Sequence, residues 1–113
     1  MHEIGLMQQA LDIALARATA AGAQRVHSIT MRIGAESGVV PEVIVFAFDV
    51  ATRGTIAEGA QLAIEDVALA CFCAACGLEF VPQDALHECP DCHRLGAEVR
   101  RGQEFEIRSL DVS

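Results

Sequence analysis

The chain contains no lysine, no tryptophan and no tyrosine, and its only aromatic side chains are five phenylalanines. Eight arginines therefore carry all the fixed positive charge against sixteen acids, for a net charge of −8. A field of that sign repels phosphate, and few rings are available to stack on bases, so nucleic acid is not an expected partner. The individual acids read most simply as solvated surface. Hydrophobic residues make up 52% of the chain, yet much of this is alanine. No apolar run approaches the roughly 20 residues a membrane-spanning helix needs, so no membrane insertion is expected. The opening residues show no basic, apolar, small-residue sequence of a signal peptide, and reduced metal-binding thiols suit a cytoplasmic protein. There is no nucleophile with an adjacent base, no glycine-rich phosphate loop and no paired-carboxylate motif, so the chain is not expected to be an enzyme. Internal repeats and low-complexity linkers are also absent. With 113 residues the chain suffices for one modest domain and one small metal module.

Five cysteines are present, and an odd number cannot all pair. Four of them form two knuckles, Cys73-Ala74-Ala75-Cys76 and Cys89-Pro90-Asp91-Cys92, separated by twelve residues. A two-residue gap lets backbone N–H groups turn toward the thiolates, and Gly77 permits the close turn that completes the first knuckle. Two knuckles make a closed tetrahedral site, for which zinc is the first choice and in which no coordination position stays open for a substrate. The metal is then a structural staple. Cys71 forms a Cys-x-Cys pair with Cys73 and could compete for the ion; its simpler role is a small buried hydrophobe at a strand end. His93 occupies a position where many knuckles carry glycine, and could replace a ligand, bond a thiolate or simply be exposed. His87 is a weaker candidate, and His27 has no assigned role.

Upstream of the cysteines the hydrophobic spacing is that of a scaffold. Ile4, Met7, Leu11, Ala14 or Leu15, and Ala18 recur at three and four, and Gly22 follows as a C-terminal cap, which predicts a helix from Glu3 to Ala21. Val26 to Ile33 alternates as a half-buried strand with Ile29, Met31 and Ile33 on one face. Pro41 and Gly54 bracket a second helix over 41–53, although the β-branched run Val43-Ile44-Val45 also suits a strand. Gln61–Leu69 and Glu104–Val112 alternate with one change of phase each, which suggests a bulge at Glu65-Asp66. The expectation is an α+β fold: two helices on a small three-stranded, antiparallel sheet, with a zinc-ribbon-like four-cysteine module inserted between the last two strands. Residues 1–70 and 98–113 would form the first domain and 71–97 the inserted module.

Met1-His2-Glu3 carries a second constellation. A free terminal amine, a backbone amide nitrogen and the His2 imidazole can close a five- and a six-membered ring on one ion. The Glu3 amide or carboxylate is available as a fourth donor, and such a nitrogen-rich planar set suits Ni(II) or Cu(II) better than zinc. The alternative is an ordinary frayed terminus. Together, Met1-His2-Glu3, the amphipathic first helix, Pro41-Glu42 leading to Phe46-Ala47-Phe48, Gly54-Thr55, Glu58-Gly59-Ala60, the two knuckles and Phe105-Glu106-Ile107 resemble the HypA/HybF family over essentially the whole chain. The family consists of nickel chaperones for [NiFe] hydrogenase assembly. The resemblance implies that His2 binds Ni(II), that Glu3 belongs to the nickel site, and that Cys73, Cys76, Cys89 and Cys92 hold Zn(II). It also implies a HypB-type GTPase partner and delivery to the hydrogenase large subunit; a homodimer stays open. Two other classes compete on the knuckles alone: a rubredoxin-like electron carrier with iron in the same sulfur tetrahedron, and a nucleic-acid-binding zinc ribbon, which the charge disfavours.

Overall fold

The computed structural model describes residues 2–113, with His2 described by its backbone alone. The elements follow in the order α1 (His2–Ala20), β1 (Val26–Gly34), α2 (Pro41–Thr52), β2 (Gln61–Val67), β3 (Ala70–Cys73), β4 (Leu78–Phe80), β5 (Glu98–Arg101) and β6 (Phe105–Val112). The chain divides into two compact units. The first comprises Met1–Arg32, Val39–Glu65 and Glu106–Ser113, the second Ile33–Gly38 and Asp66–Phe105. No helix among the described residues is long and apolar enough to cross a membrane.

In the first unit α1 begins with Glu3 in its first turn and carries Arg17 in its last, matching the charges of the helix dipole. It stops at Gly22 for a geometric reason. The Ala23 N–H donates to the Ala18 carbonyl and the Gly22 N–H to the Thr19 carbonyl, both at 3.0 Å, a Schellman closure that needs the positive φ of 90° found at Gly22. Met7 and Leu11 are completely buried on the predicted stripe and Ala18 nearly so. Pro41 opens α2 as expected, and its β-branched run is helical. The reason is tertiary. Ile44, Ala47, Phe48 and Ala51 fall at helical spacing and all are buried. Packing that stripe, with α1 as a neighbour, outweighs the weak local preference of Val43-Ile44-Val45 for a strand.

The first sheet has the order β2-β1-β6. Arg25 and Ser113 exchange two backbone hydrogen bonds of 3.2 and 2.9 Å, and Gly34 donates to the Glu104 carbonyl at 2.8 Å. Those partners run in opposite order along the two segments, so β6 is antiparallel to β1, as expected. On the other side, Val26 donates to Ile56 and Ala35 to Val67. Those partners run in the same order, which makes β2 parallel to β1. A parallel neighbour follows from the connection, because α2 crosses from the end of one strand to the start of the next. Val26, Ile29 and Met31 of β1 are fully buried. In β2 the half-buried positions are Leu62, Ile64 and Val67, so the phase shifts at Glu65-Asp66 as the spacing predicted. The chain passes between the two units at that point.

The second unit contains three short strands that sequence spacing did not predict, in the order β4-β3-β5 and antiparallel throughout. Central β3 pairs Cys71 with Phe80 and Cys73 with Leu78 on one side, and bulges between Ala70 and Cys71 on the other. The Arg100 guanidinium lies 4.2 Å from the centre of the Phe72 ring, and Arg101 pairs with Glu79 across the sheet. Glycine is required where three segments of this unit meet. A Cβ on Gly102 would lie 2.5 Å from Leu69 Cα, and Gly102 has φ of 111°. Gly34 in turn abuts the Gly102 carbonyl. Gly102→Ala is therefore expected to lower stability by about 3 kcal/mol, combining backbone strain and overpacking. Gly38→Ala is the control. Gly38 also has positive φ but open space around it, so it should cost about 1 kcal/mol, dihedral strain alone. Urea midpoints with unchanged slopes would check both values.

Candidate metal centre

The four knuckle sulfurs converge. Cys73, Cys76, Cys89 and Cys92 each offer one Sγ, and all four atoms lie within 4.8 Å of one another. The Cys73–Cys92 separation is 3.6 Å and the Cys76–Cys89 separation 4.0 Å. A regular tetrahedron with metal–sulfur bonds of about 2.3 Å has edges of roughly 3.8 Å, so these thiols are already spaced for a zinc-sized ion. Cys73 and Cys89 are buried while Cys76 and Cys92 face outward.

Both knuckles are built alike. Cys73 ends β3, and the turn to β4 closes with the Gly77 N–H donating to the Cys73 carbonyl at 2.8 Å, with φ of 62° at Gly77. In the second knuckle the His93 N–H donates to the Cys89 carbonyl at 2.9 Å, and His93 takes φ of 63°. His93 thus fills the glycine position of the turn and bears its strain. Its Nδ1 lies 3.2 Å from the Glu88 carboxylate, and the ring is not among the clustered donors. The Asp91 N–H points at the Cys89 Sγ at 3.4 Å. Backbone hydrogen bonds from Cys92 and Asp91 pull the Cys89 thiol down to about 7, whereas hydrogen bonding with Cys92 and burial push Cys76 up to about 12. Four sulfurs this close cannot all carry charge without a cation between them. A divalent ion resolves that conflict, and four cysteines leave it no open position for a reactant.

Cys71 is completely buried but outside the cluster, in line with the simpler of its two readings. Burial raises its thiol above the ordinary range. His87 is also outside. Its Nε2 lies 2.9 Å from Glu36, whose other carboxylate oxygen accepts from Gln103 Nε2 at 3.1 Å. These two hydrogen bonds, His87 first, hold the Glu36 carboxyl below its ordinary range. Sequence reasoning missed this contact because Glu36 and His87 are 51 positions apart with no shared motif. His27 places Nε2 2.7 Å from the Ser113 hydroxyl. The other expected site, Met1 with the His2 side chain, lies outside the described residues. Glu3 is half-buried in the first turn of α1.

Two helices, small sheets and a closed four-thiol cluster define a small α+β protein with a site that could hold a metal ion. Residues 1–112 match the family profile described as hydrogenase/urease nickel incorporation, metallochaperone, hypA. A hydrogenase maturation factor HypA from Picosynechococcus sp. is 46% identical over 112 residues, covering 99% of each chain. Another, from Chlorobium limicola, is 39% identical over 99% of this chain and 97% of its own. The solution structure of the Ni metallochaperone HypA from Helicobacter pylori has a TM-score of 0.72 at 20% identity, covering 97% of this chain and 96% of that one, a likeness of fold. The chain belongs to the HypA family of nickel-incorporation metallochaperones, which is not a family of enzymes.

Proposed function

We propose that this chain binds Ni(II) at its N-terminus and delivers it to the large subunit of a [NiFe] hydrogenase, while Cys73, Cys76, Cys89 and Cys92 hold a structural Zn(II). The full-length family match carries the reading. Delivery requires a site that can be dismantled. An N-terminal chelate meets that need better than a buried cage, and α1 favours it locally. Helix α1 starts at His2, and the first N–H groups of a helix have no intrahelical acceptor, so the His2 and Glu3 amide nitrogens are not committed to the ladder. The Met1 amine, an amide nitrogen and the His2 imidazole would bind the ion, with Glu3 in the same site. Reduced thiols suit the cytoplasm as the compartment for this role. A HypB-type GTPase would supply the nucleotide chemistry this chain lacks, and a homodimer is compatible with the reading. Residues 71–97 would act as a metal-folded docking module and 1–70 with 98–113 as the nickel-binding domain.

Metal analysis of the untagged protein tests this directly. About one zinc per chain should survive desalting, and added Ni(II) should bring about one nickel without displacing it. Iron in the cysteine site, visible as colour, would replace the reading with an electron carrier. Nickel uptake only at the expense of zinc would remove the N-terminal site.

A further inference from the structure

In the first unit, the C-terminal half of α1 and strand β6 leave between them a groove of about 650 Å³. Ala10, Ile13 and Ala14 line it from the helix, and Ile107, Leu110 and Val112 from the strand. Apolar side chains stand open to solvent here: Ile13 is 60% exposed and Val112 42%. Two further features say what would fill the groove. Strand β6 ends the sheet order β2-β1-β6, so no strand pairs with its outer edge among the described residues. A strand edge beside a helix selects an extended backbone, which pairs with the strand and lays alternate side chains against the helix. The second feature is charge. Arg17 and Arg108 both line the groove in a chain of net charge −8. Arg108 is held by Glu65 at 2.7 Å, whereas no hydrogen bond or ion pair is found for the Arg17 side chain among the described residues. A cation left at the rim of an apolar trough complements an anionic ligand.

We propose that this groove is a docking site for an extended segment of another protein, alternating apolar and acidic residues, that adds as a strand to the free edge of β6. A second copy of this chain fits less well. The sequence of β6 carries Glu106 and Asp111, both exposed. A second copy would bring a β6 edge with the same two acids and one arginine, a match of like net charge.

The probe is a capped octapeptide of alternating valine and glutamate, added to the isotope-labelled, zinc-loaded full chain and followed by backbone amide shifts. Shifts should concentrate on Ile13–Gly22 and Ile107–Ser113. A copy with lysine in place of glutamate should bind at least tenfold more weakly, and a fully N-methylated copy, which has no donors for the strand edge, should not bind. Arg17→Glu, an exposed substitution on α1, should reverse the preference between the acidic and basic peptides. Equal binding of the two peptides, or undiminished binding of the N-methylated copy, would overturn the proposal. So would shifts centred on the exposed Val45 and Phe46 of α2. Shifts of β6 that grow with protein concentration without peptide would identify a second copy as the occupant and overturn it as well.

Discussion

Cys89→Ala is expected to abolish stoichiometric zinc and to unfold the second unit while the first remains folded. The contrast follows from how each unit is held together. The first buries Met7, Leu11, Val26, Ile29, Met31 and Ile44 completely, a core whose side chains contribute about 1.5 to 3 kcal/mol each on burial. The second buries only Ile33, Ala70, Cys71, Cys73 and Cys89 among its hydrophobic residues and has strands of only three or four residues. Its main segment, Asp66–Phe105, is about 40 residues long, near the limit of about 40 below which domains usually need a metal, disulfides or association. A structural zinc contributes on the order of 10 to 16 kcal/mol in such modules, comparable with or larger than the roughly 5 to 15 kcal/mol stability of a whole domain. If the proposed zinc is lost with the fully buried Cys89 thiol, nothing of that size replaces it. Zinc after desalting should fall below about a tenth of an equivalent. Limited proteolysis should then cut within 66–105, with most of the helical circular dichroism kept. Cys71→Ala is the matched control. Its thiol is just as buried but lies outside the cluster, so zinc content should not change. Full zinc and protease resistance in Cys89→Ala would remove the ligand assignment, and loss of zinc in Cys71→Ala would extend it.

The second large effect concerns nickel. His2→Ala should reduce Ni(II) affinity by two orders of magnitude or more, with unfolding transition and zinc content unchanged. In the proposed site three nitrogen donors at adjacent positions would close two fused chelate rings, and losing the imidazole would open the larger. A residue added before Met1 should act almost as strongly, since it turns the terminal amine into a weakly basic peptide nitrogen and tests the chelate independently of the histidine. Both should be read by calorimetric titration of the untagged protein and by the d–d absorption of a planar, diamagnetic Ni(II) complex. Affinity should fall as pH falls, because protons compete for the imidazole and the amide. Zinc at the cysteines also loses to protons, but over a lower range if the ion holds the thiolates, so nickel should leave first. Full nickel affinity in the extended chain would exclude the amine. Full affinity in His2→Ala would move the site elsewhere.

Local chemistry in the sequence is enough to determine the two cysteine knuckles, the first helix and the strands of the first sheet. A Cys-x-x-Cys turn is closed by its own neighbours, Gly77 and His93. The stripe Met7-Leu11-Ala18 and the cap at Gly22 lie within a few turns of one another, so each is legible without knowing the rest of the chain. Long-range contacts had to be built before anything else could be decided. Burial of Ile44, Ala47, Phe48 and Ala51 settled the ambiguous Val43-Ile44-Val45 run as helix, and the resulting crossover set β2 parallel to β1. The strands β3, β4 and β5 are too short to show a period. Glu36 meets His87, and Gly102 meets Leu69 and Gly34, across separations that no local pattern records. The free edge of β6 beside Arg17 exists only because the sheet order places the last strand outermost, which is a property of the assembled topology and not of either segment.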